Sequence, residues 1–373
     1  MRTYQFKLYQ HKRNRHLHSA INAASNIYNH CIALHKRYYR LFGKHLNKNK
    51  LQKHIAKLRN KNEYWQLVGS QAVQDITDRI ERAYQLFFKH HKRGVRPPNF
   101  RKRIKYKSIT LKQAGYKFRH DNCLKIGKRI FRFWKSREIK GKIKTVTIKR
   151  NPLGEFFVFV VTDFVDNQIS TMTGNSAGFD FGCQVFLTCS DNTEIKSPLF
   201  QLQSLKELKL ASRNHSRKKK RSNNREKARK HLVRVHEKVV NRRQDWFWKL
   251  AHELTDKFDY LFFETLNLKG MQRLWGRKIG DLAFAEFLKI LEFVAEKKGK
   301  IVSYIDQWYP SSKTCSECNY VLDKLGLDER YWVCPSCSTK HGRDLNASRV
   351  IQKVGASTLR LGDVSRLQDA IAV

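Results

Sequence analysis

Cys315 and Cys318 enclose two residues, fifteen separate Cys318 from Cys334, and Cys334 and Cys337 again enclose two. Two such pairs at that separation have the spacing of a zinc site. Four thiolates close a tetrahedral shell and leave no position for water, so the Zn²⁺ they imply would be structural rather than catalytic. A redox pair or an iron–sulfur centre is the alternative. Tyr331 and Trp332, beside the second pair, could stack on nucleic-acid bases or form the loop's own small core. His341, four residues past Cys337, reads as a polar loop residue because the shell is already filled.

Three acids form a second group. Asp180 lies within the apolar run Gly178-Phe179-Asp180-Phe181-Gly182, Glu264 ends Tyr260-Leu261-Phe262-Phe263-Glu264, and Asp344 opens a helix at Gly342-Arg343-Asp344-Leu345-Asn346-Ala347. Burying an unpaired carboxylate is costly, so each requires a reason. Singly, Asp344 could cap a helix, Glu264 could pair with a lysine and Asp180 could form a turn. Together, on two strands and a helix start, they are arranged as a chelate for paired Mg²⁺, which activates water and stabilises the leaving oxygen of a phosphodiester.

The charge balance names the substrate class. Lys and Arg total 76 against 32 Asp and Glu, a formal net charge of +44 over 373 residues. Charge on that scale repels itself unless a polyanion neutralises it, so a nucleic acid is the expected partner, bound in a salt-dependent way. No run of about 18 apolar residues suggests a membrane span and the start lacks a signal-peptide core, so a reducing cytoplasmic location is expected. The other cysteines, Cys31, Cys123, Cys183 and Cys189, read as ordinary buried thiols.

Several elements must position these groups. Residues 3–9 alternate as one strand, and helical spacing then runs from about 13 to 93, with Ser70 reading as a helix cap. Gly94, Pro97 and Pro98 end that pattern, and strand-like runs follow at 106–111, 123–134, 143–149 and 156–164. A β-barrel with a helical bundle inserted after its first strand is the economical reading. A Ser/Thr/Gly/Asn stretch around 168–175 marks a linker. Beyond it come a β pair at 177–181 and 184–189, and a helical hairpin with the basic tip Arg217-Lys218-Lys219-Lys220-Arg221. That tip is either a solvated face or a nucleic-acid contact. A strand at 260–264, an amphipathic helix through Phe284 and Leu291, a strand at 300–305 and a helix at about 344–352 complete the domain.

Gly178-Phe179-Asp180-Phe181-Gly182, Phe263-Glu264-Thr265-Leu266-Asn267-Leu268, Ser311-Ser312-Lys313-Thr314-Cys315 and Arg343-Asp344-Leu345-Asn346-Ala347 resemble the RuvC-like nuclease of the transposon-encoded TnpB proteins, relatives of compact type V CRISPR effectors. Asn241-Arg242-Arg243-Gln244-Asp245-Trp246 resembles a further family segment, as do Ile27-Tyr28-Asn29, Ala83-Tyr84-Gln85-Leu86-Phe87-Phe88 and Pro98-Asn99-Phe100-Arg101-Lys102. Many relatives carry an acid two residues before the last aspartate, where this chain has Gly342. The resemblance implies an α+β multidomain chain. Residues 1–12 and 96–170 would form a wedge β-barrel around a helical recognition region at 13–95. An RNase H-like (RuvC) α/β nuclease domain would occupy 171–373, with a zinc-ribbon insertion at 310–341 and a poorly ordered tail from about 354.

The resemblance also implies function: a monomeric complex with a guide RNA from the transposon end that cuts complementary double-stranded DNA beside a short transposon-adjacent motif. Asp180, Glu264 and Asp344 take the Mg²⁺ roles, with Mn²⁺ as a substitute. Base pairing would read most of the target, the protein only the short motif. In the family that motif is read from the helical region and barrel, which nominates Gln71, Gln74 and Thr110. A nuclease-inactive guided repressor and an RNA-free transposition protein are the other readings.

Overall fold

The computed structural model describes residues 1–12, 14–119, 122–165, 170–326 and 328–359. The chain divides into two compact units, Met1–Asp166 and Asn167–Val373.

In the first unit, β1 (Arg2–Lys7) turns Tyr4 and Phe6 inward. Four helices follow: α1 (Asn14–Phe42), α2 (Lys48–Lys61), α3 (Glu63–Gln66) and α4 (Ser70–His90). In α1 the buried residues Leu17, Ala20, Ile21, Ala24, Ile27, Tyr28 and Cys31 recur at three- and four-residue steps, one stripe of a helix. Asn47 and Asn62 cap α2 and α3 through their side chains. Ser70 is no cap: Gly69 occupies that position, without a side-chain bond, and Ser70 is the first helical residue of α4.

Six strands complete this unit: β2 (Ser108–Leu111), β3 (Tyr116–Arg119), β4 (Cys123–Ile126), β5 (Arg129–Arg132), β6 (Ile143–Arg150) and β7 (Phe156–Thr162). The strand expected at 123–134 is a hairpin, because Gly127 takes the left-handed conformation that reverses the chain between β4 and β5. β1, β7, β6 and β2 form one antiparallel sheet in that order, and β3, β4 and β5 another. A bridge from Leu8 to Phe133 joins them, flanked by Tyr9 N–H to the Arg132 carbonyl at 2.9 Å and Trp134 N–H to the Lys7 carbonyl at 2.8 Å. Tyr4, Phe6, Leu8, Phe131, Phe133, Val158 and Val160 share one core with the buried stripe of α1.

The second unit begins with a held segment. Asp259 accepts from the backbone N–H groups of Thr173 and Gly174 and forms a buried ion pair with Lys300. Residues 168 and 169 of the expected linker lie outside the described residues. Then come β8 (Ser176–Asp180), β9 (Leu187–Cys189), β10 (Glu194–Ile195), α5 (Phe200–Gln203), α6 (Leu205–Arg217), α7 (Asn223–Lys257), β11 (Tyr260–Glu264), α8 (Leu268–Leu282), α9 (Phe284–Lys298), β12 (Ile301–Ile305), β13 (Tyr331–Val333), β14 (Lys340–Gly342) and α10 (Arg343–Thr358).

The main sheet runs β10-β9-β8-β11-β12, with β8, β11 and β12 parallel and β9 and β10 antiparallel. Its core is aromatic: Phe179, Phe186, Phe247, Phe263, Phe284 and Phe287 are buried together. α10 lies directly on β8 and β11. A Cβ at Gly178 would collide with the Ser348 carbonyl, and one at Gly355 with the Phe262 ring, so only glycine permits this approach. α10 also runs six residues beyond the expected end, burying Gly355 and Ala356, so the tail does not begin at 354. Residues 360–373 lie outside the described residues. No described helix is long and apolar enough to cross a membrane.

Candidate active site and thiol cluster

Asp180 does not sit in the middle of its strand. It ends β8, as Glu264 ends the neighbouring parallel β11, and the register that pairs Phe263 with Phe179 places the two acids side by side. Both therefore emerge at the carboxyl ends of parallel strands, where open α/β sheets place their ligands. Asp344 lies in the first turn of α10, which the contact at Gly178 holds against β8.

The electrostatics place Asp180 in the field of the other two acids. Burial, then the charges of Asp344 and Glu264, push the Asp180 carboxyl up to about 8, with Arg343 acting in the opposite direction. Burial also raises Glu264, against the Ser311 hydroxyl that donates to its Oε2 at 3.2 Å. Asp344 pairs with Arg330, whose Nη1 lies 3.3 Å from Oδ2.

Arg330 was not singled out by the sequence. It reaches Asp344 because β13 and β14 pair Tyr331 with Gly342, and because the Arg343 N–H bonds the Arg330 carbonyl at 2.8 Å. A basic residue four positions before Cys334 was the available signal, but the chain has 76 Lys and Arg from which to choose.

The four cysteines converge through two equivalent turns. Cys315 N–H bonds the Tyr320 carbonyl and Asn319 N–H the Cys315 carbonyl; Cys334 N–H bonds the Thr339 carbonyl and Ser338 N–H the Cys334 carbonyl. Asn319 and Ser338 both take positive φ, the reversal each turn needs. The sulfurs of Cys315 and Cys337 are 3.6 Å apart and those of Cys318 and Cys334 3.5 Å. Thiolates about 2.3 Å from a shared zinc ion would be spaced in this way. Among the described residues this is the one group of three or more His, Cys, Asp or Glu whose ligand atoms all lie within 4.8 Å. The cluster is thus compatible with a zinc ribbon.

His341 is not a loop residue. It lies on β14, is 5% exposed, and places Nε2 3.1 Å from the Cys315 sulfur and its ring 4.6 Å from Trp332. A proton on Nε2 would be donated to that thiolate, as neighbouring groups do around metal sites. The two aromatics divide between their readings: Trp332 is buried with Cys315 and Cys334 as the cluster's core, whereas Tyr331 is 84% exposed.

The remaining nominated residues are dispersed. Arg217 ends α6, and Lys218, Lys219, Lys220 and Arg221 form the exposed turn before α7. Leu208, Ala211 and Val235 pack the two helices together behind it. In the first unit Gln74 is exposed and Gln71 half-buried, accepting from the Gln113 N–H at 3.4 Å. Thr110 is only 8% exposed and bonds Arg79 and Thr147, at the wall of a groove of about 570 Å³ lined also by Lys48, Asp78, Arg82 and Lys112.

Comparison with known families agrees in chain order. Residues 159–274 match the OrfB_IS605 family, described as a probable transposase, and residues 284–351 match the Cas12f1-like TNB domain. The two matched segments are consecutive and together run from β7 to α10. A Streptomyces pristinaespiralis protein named "Putative RNA-guided DNA endonuclease" is 34% identical over 60% of this chain and 56% of its own length. The mimivirus protein "TnpB-like protein L79" is 28% identical over 57% of this chain and 43% of its own. The chain thus spans about half the length of these relatives. "Putative RNA-guided DNA endonuclease InsQ" of Escherichia coli is 24% identical over 91% of this chain and 88% of its own.

Among solved structures, the Cas12f1 chain of a guide RNA and target DNA complex superposes with a TM-score of 0.59 at 14% identity, over 92% of this chain and 83% of its own. The mini-RNA-guided endonuclease Cas-phi3 gives 0.55 at 9% identity, over 95% and 92%. These likenesses establish a mixed α/β fold shared with compact effectors.

Proposed function

We propose that the protein is an RNA-guided DNA endonuclease of a transposable element, cutting guide-complementary DNA beside a short adjacent motif by two-metal phosphodiester hydrolysis. The observation that carries this reading is the placement of three acids: Asp180 and Glu264 end neighbouring parallel strands, and Asp344 opens the helix packed on β8. In a chain of net charge +44, two acids at the ends of parallel strands and a third at the start of the helix packed on them make sense as cation ligands. A sheet order of β10-β9-β8-β11-β12 with a helix after its last strand supports an RNase H-like (RuvC) domain over 171–373, with the thiol loop at 310–341 as a zinc-bearing insertion. The strands before and after α1–α4, joined by the Leu8–Phe133 bridge, support a wedge barrel around a recognition region.

Asp180, Glu264 and Asp344 would hold a pair of Mg²⁺ or Mn²⁺ ions. Such a pair, when bound, activates water and stabilises a leaving oxygen. The Ser311 hydroxyl fixes Glu264 Oε2 and leaves the other carboxylate oxygen for ligation. Arg330, now on Asp344, is placed to grip the phosphate of a bound strand once that carboxylate turns to a cation. Tyr331, exposed beside it, offers a ring for the adjacent base. The 217–221 turn, Gln71, Gln74 and the wall at Thr110 are the proposed nucleic-acid contacts.

The raised Asp180 has a signed consequence. A carboxyl whose folded pKa is raised stabilises the fold below its unfolded value, and that contribution is lost as pH rises through about 8. Mg²⁺ binds the ionised form and restores what is lost. The Mg²⁺-induced rise in melting temperature of the RNA-free protein should therefore be larger near about pH 8.5 than near about pH 6. Asp180→Asn should raise the metal-free melting temperature at the higher pH and flatten the Mg²⁺ response, as thermal denaturation would read.

The guide itself is tested by sequencing the RNA that purifies with the protein from its host. The reading requires a discrete species from the transposon end. Protein carrying no discrete RNA would favour an RNA-free transposition role.

A further inference from the structure

We propose that Asn346 is a positioning residue that couples the thiol cluster to the acid trio, so that the state of one site sets the cation affinity of the other. The inference rests on the acid trio being a divalent-cation site, as read above.

Asn346 lies two residues beyond Asp344 on the same helix and is 1% exposed. Its Nδ2 donates to the Thr314 carbonyl at 2.7 Å and its Oδ1 accepts from the Ser316 N–H at 2.9 Å. Thr314 and Ser316 flank Cys315, so one side-chain amide grips the backbone on both sides of a thiol ligand. Lys353, two turns further along α10, donates to the Ser316 carbonyl and fixes the same point.

The gripped turn also reaches the second acid. Thr314 bonds the Pro310 carbonyl through both its N–H, at 3.0 Å, and its hydroxyl, at 2.9 Å. The next residue, Ser311, is buried and donates to Glu264. The segment from 310 to 316 is therefore a short strut with Glu264 at one end and the helix of Asp344 at the other. Cys315 is built into it. A cation that draws the four sulfurs together fixes the strut, and through it the separation of Glu264 and Asp344.

A buried amide bonded at both ends has a plain structural reading, since losing it leaves buried polar groups unsatisfied. The coupling makes a further demand, because energetic coupling is reciprocal: a cation at the acids must be felt at the thiols.

The test uses the full chain with its RNA, as wild type, Asn346→Ala and Asn346→Asp, the last keeping the acceptor and losing the donor. Co²⁺ in place of zinc gives visible bands that report thiolate geometry. Titrating Mg²⁺ should shift those bands in the wild type, by less in Asn346→Asp, and not at all in Asn346→Ala. Asn346→Ala should still hold one zinc per chain and bind matched duplex within about twofold, yet need about tenfold more Mg²⁺ for half-maximal cleavage, a coupling of ordinary size. Bands that ignore Mg²⁺ in the wild type, or an unchanged Mg²⁺ requirement in Asn346→Ala, would overturn the proposal. So would loss of zinc and duplex binding together, the mark of a purely structural role. A wild type that cuts nothing but whose bands respond to Mg²⁺ through Asn346 would sink the nuclease reading and leave the coupling standing.

Discussion

Replacing Asp180 by alanine should reduce DNA cleavage at least about a thousandfold, roughly 4 kcal/mol of transition-state stabilisation, while guide-RNA and duplex binding persist. The size follows from its position. Asp180 ends the central β8 strand between Glu264 on β11 and Asp344 on α10, and both neighbours raise its pKa, so it is the acid shared by the whole cluster. Removing it leaves two carboxylates that cannot hold a cation pair in register. The binding surface is untouched, because the net charge of +44 comes from lysines and arginines spread over the chain. Removing one carboxylate even favours polyanion binding slightly. A kinetic comparison of the variant with the wild type on matched duplex, beside a filter-binding titration, reads both parts. Cleavage at the wild-type rate would refute the active-site assignment.

Cys334→Ser should have the second largest effect. Its thiol is buried against Cys315 and Trp332, 3.5 Å from the Cys318 sulfur, in a loop whose described apolar core adds partly buried Leu322 and Leu325, with His341 against Trp332. So small a core cannot order the segment alone, and a structural zinc ion contributes on the order of 10 kcal/mol to such knuckles. Without the cation, Arg330 and the strut at 310–316 would lose their places beside Asp344 and Glu264. Cleavage should fall at least about tenfold to a hundredfold, with zinc absent by metal analysis. Guide-RNA binding should change by less than about twofold, since the basic faces lie on other elements. Equal loss of both activities would point to a global folding role.

What was legible in the sequence was local. The two cysteine pairs announce themselves because ligand spacing along the chain is the geometry of the turn. Glu264 was legible as a strand end because the apolar run 260–263 stops at it, and Asp344 as a helix start because Leu345 and Ala347 follow it. Other features depend on partners distant in the chain. Gly178 falls within the expected strand, but its need to be glycine comes from α10, some 170 residues later, whose Ser348 carbonyl lies where a Cβ would be. His341 looks polar and free until β14 pairs with β13 and turns it towards Cys315. Arg330 acquires its meaning from the same pairing. Ser70 has the residue type of a cap, but α4 begins one position earlier than that role requires. At Gly178, His341 and Arg330 a contact distant in the chain decides the role, whereas at Ser70 only the start of the helix differs.

The central claim is tested most directly by incubating the purified RNA complex with duplex DNA that matches its guide, beside a randomised flanking sequence, in Mg²⁺ and in a chelator. Strands should be broken in Mg²⁺ only, and only at targets with one short flanking motif. DNA that is bound at matched sites but stays intact in Mg²⁺ and in Mn²⁺ would contradict it, and would make the protein a guided repressor.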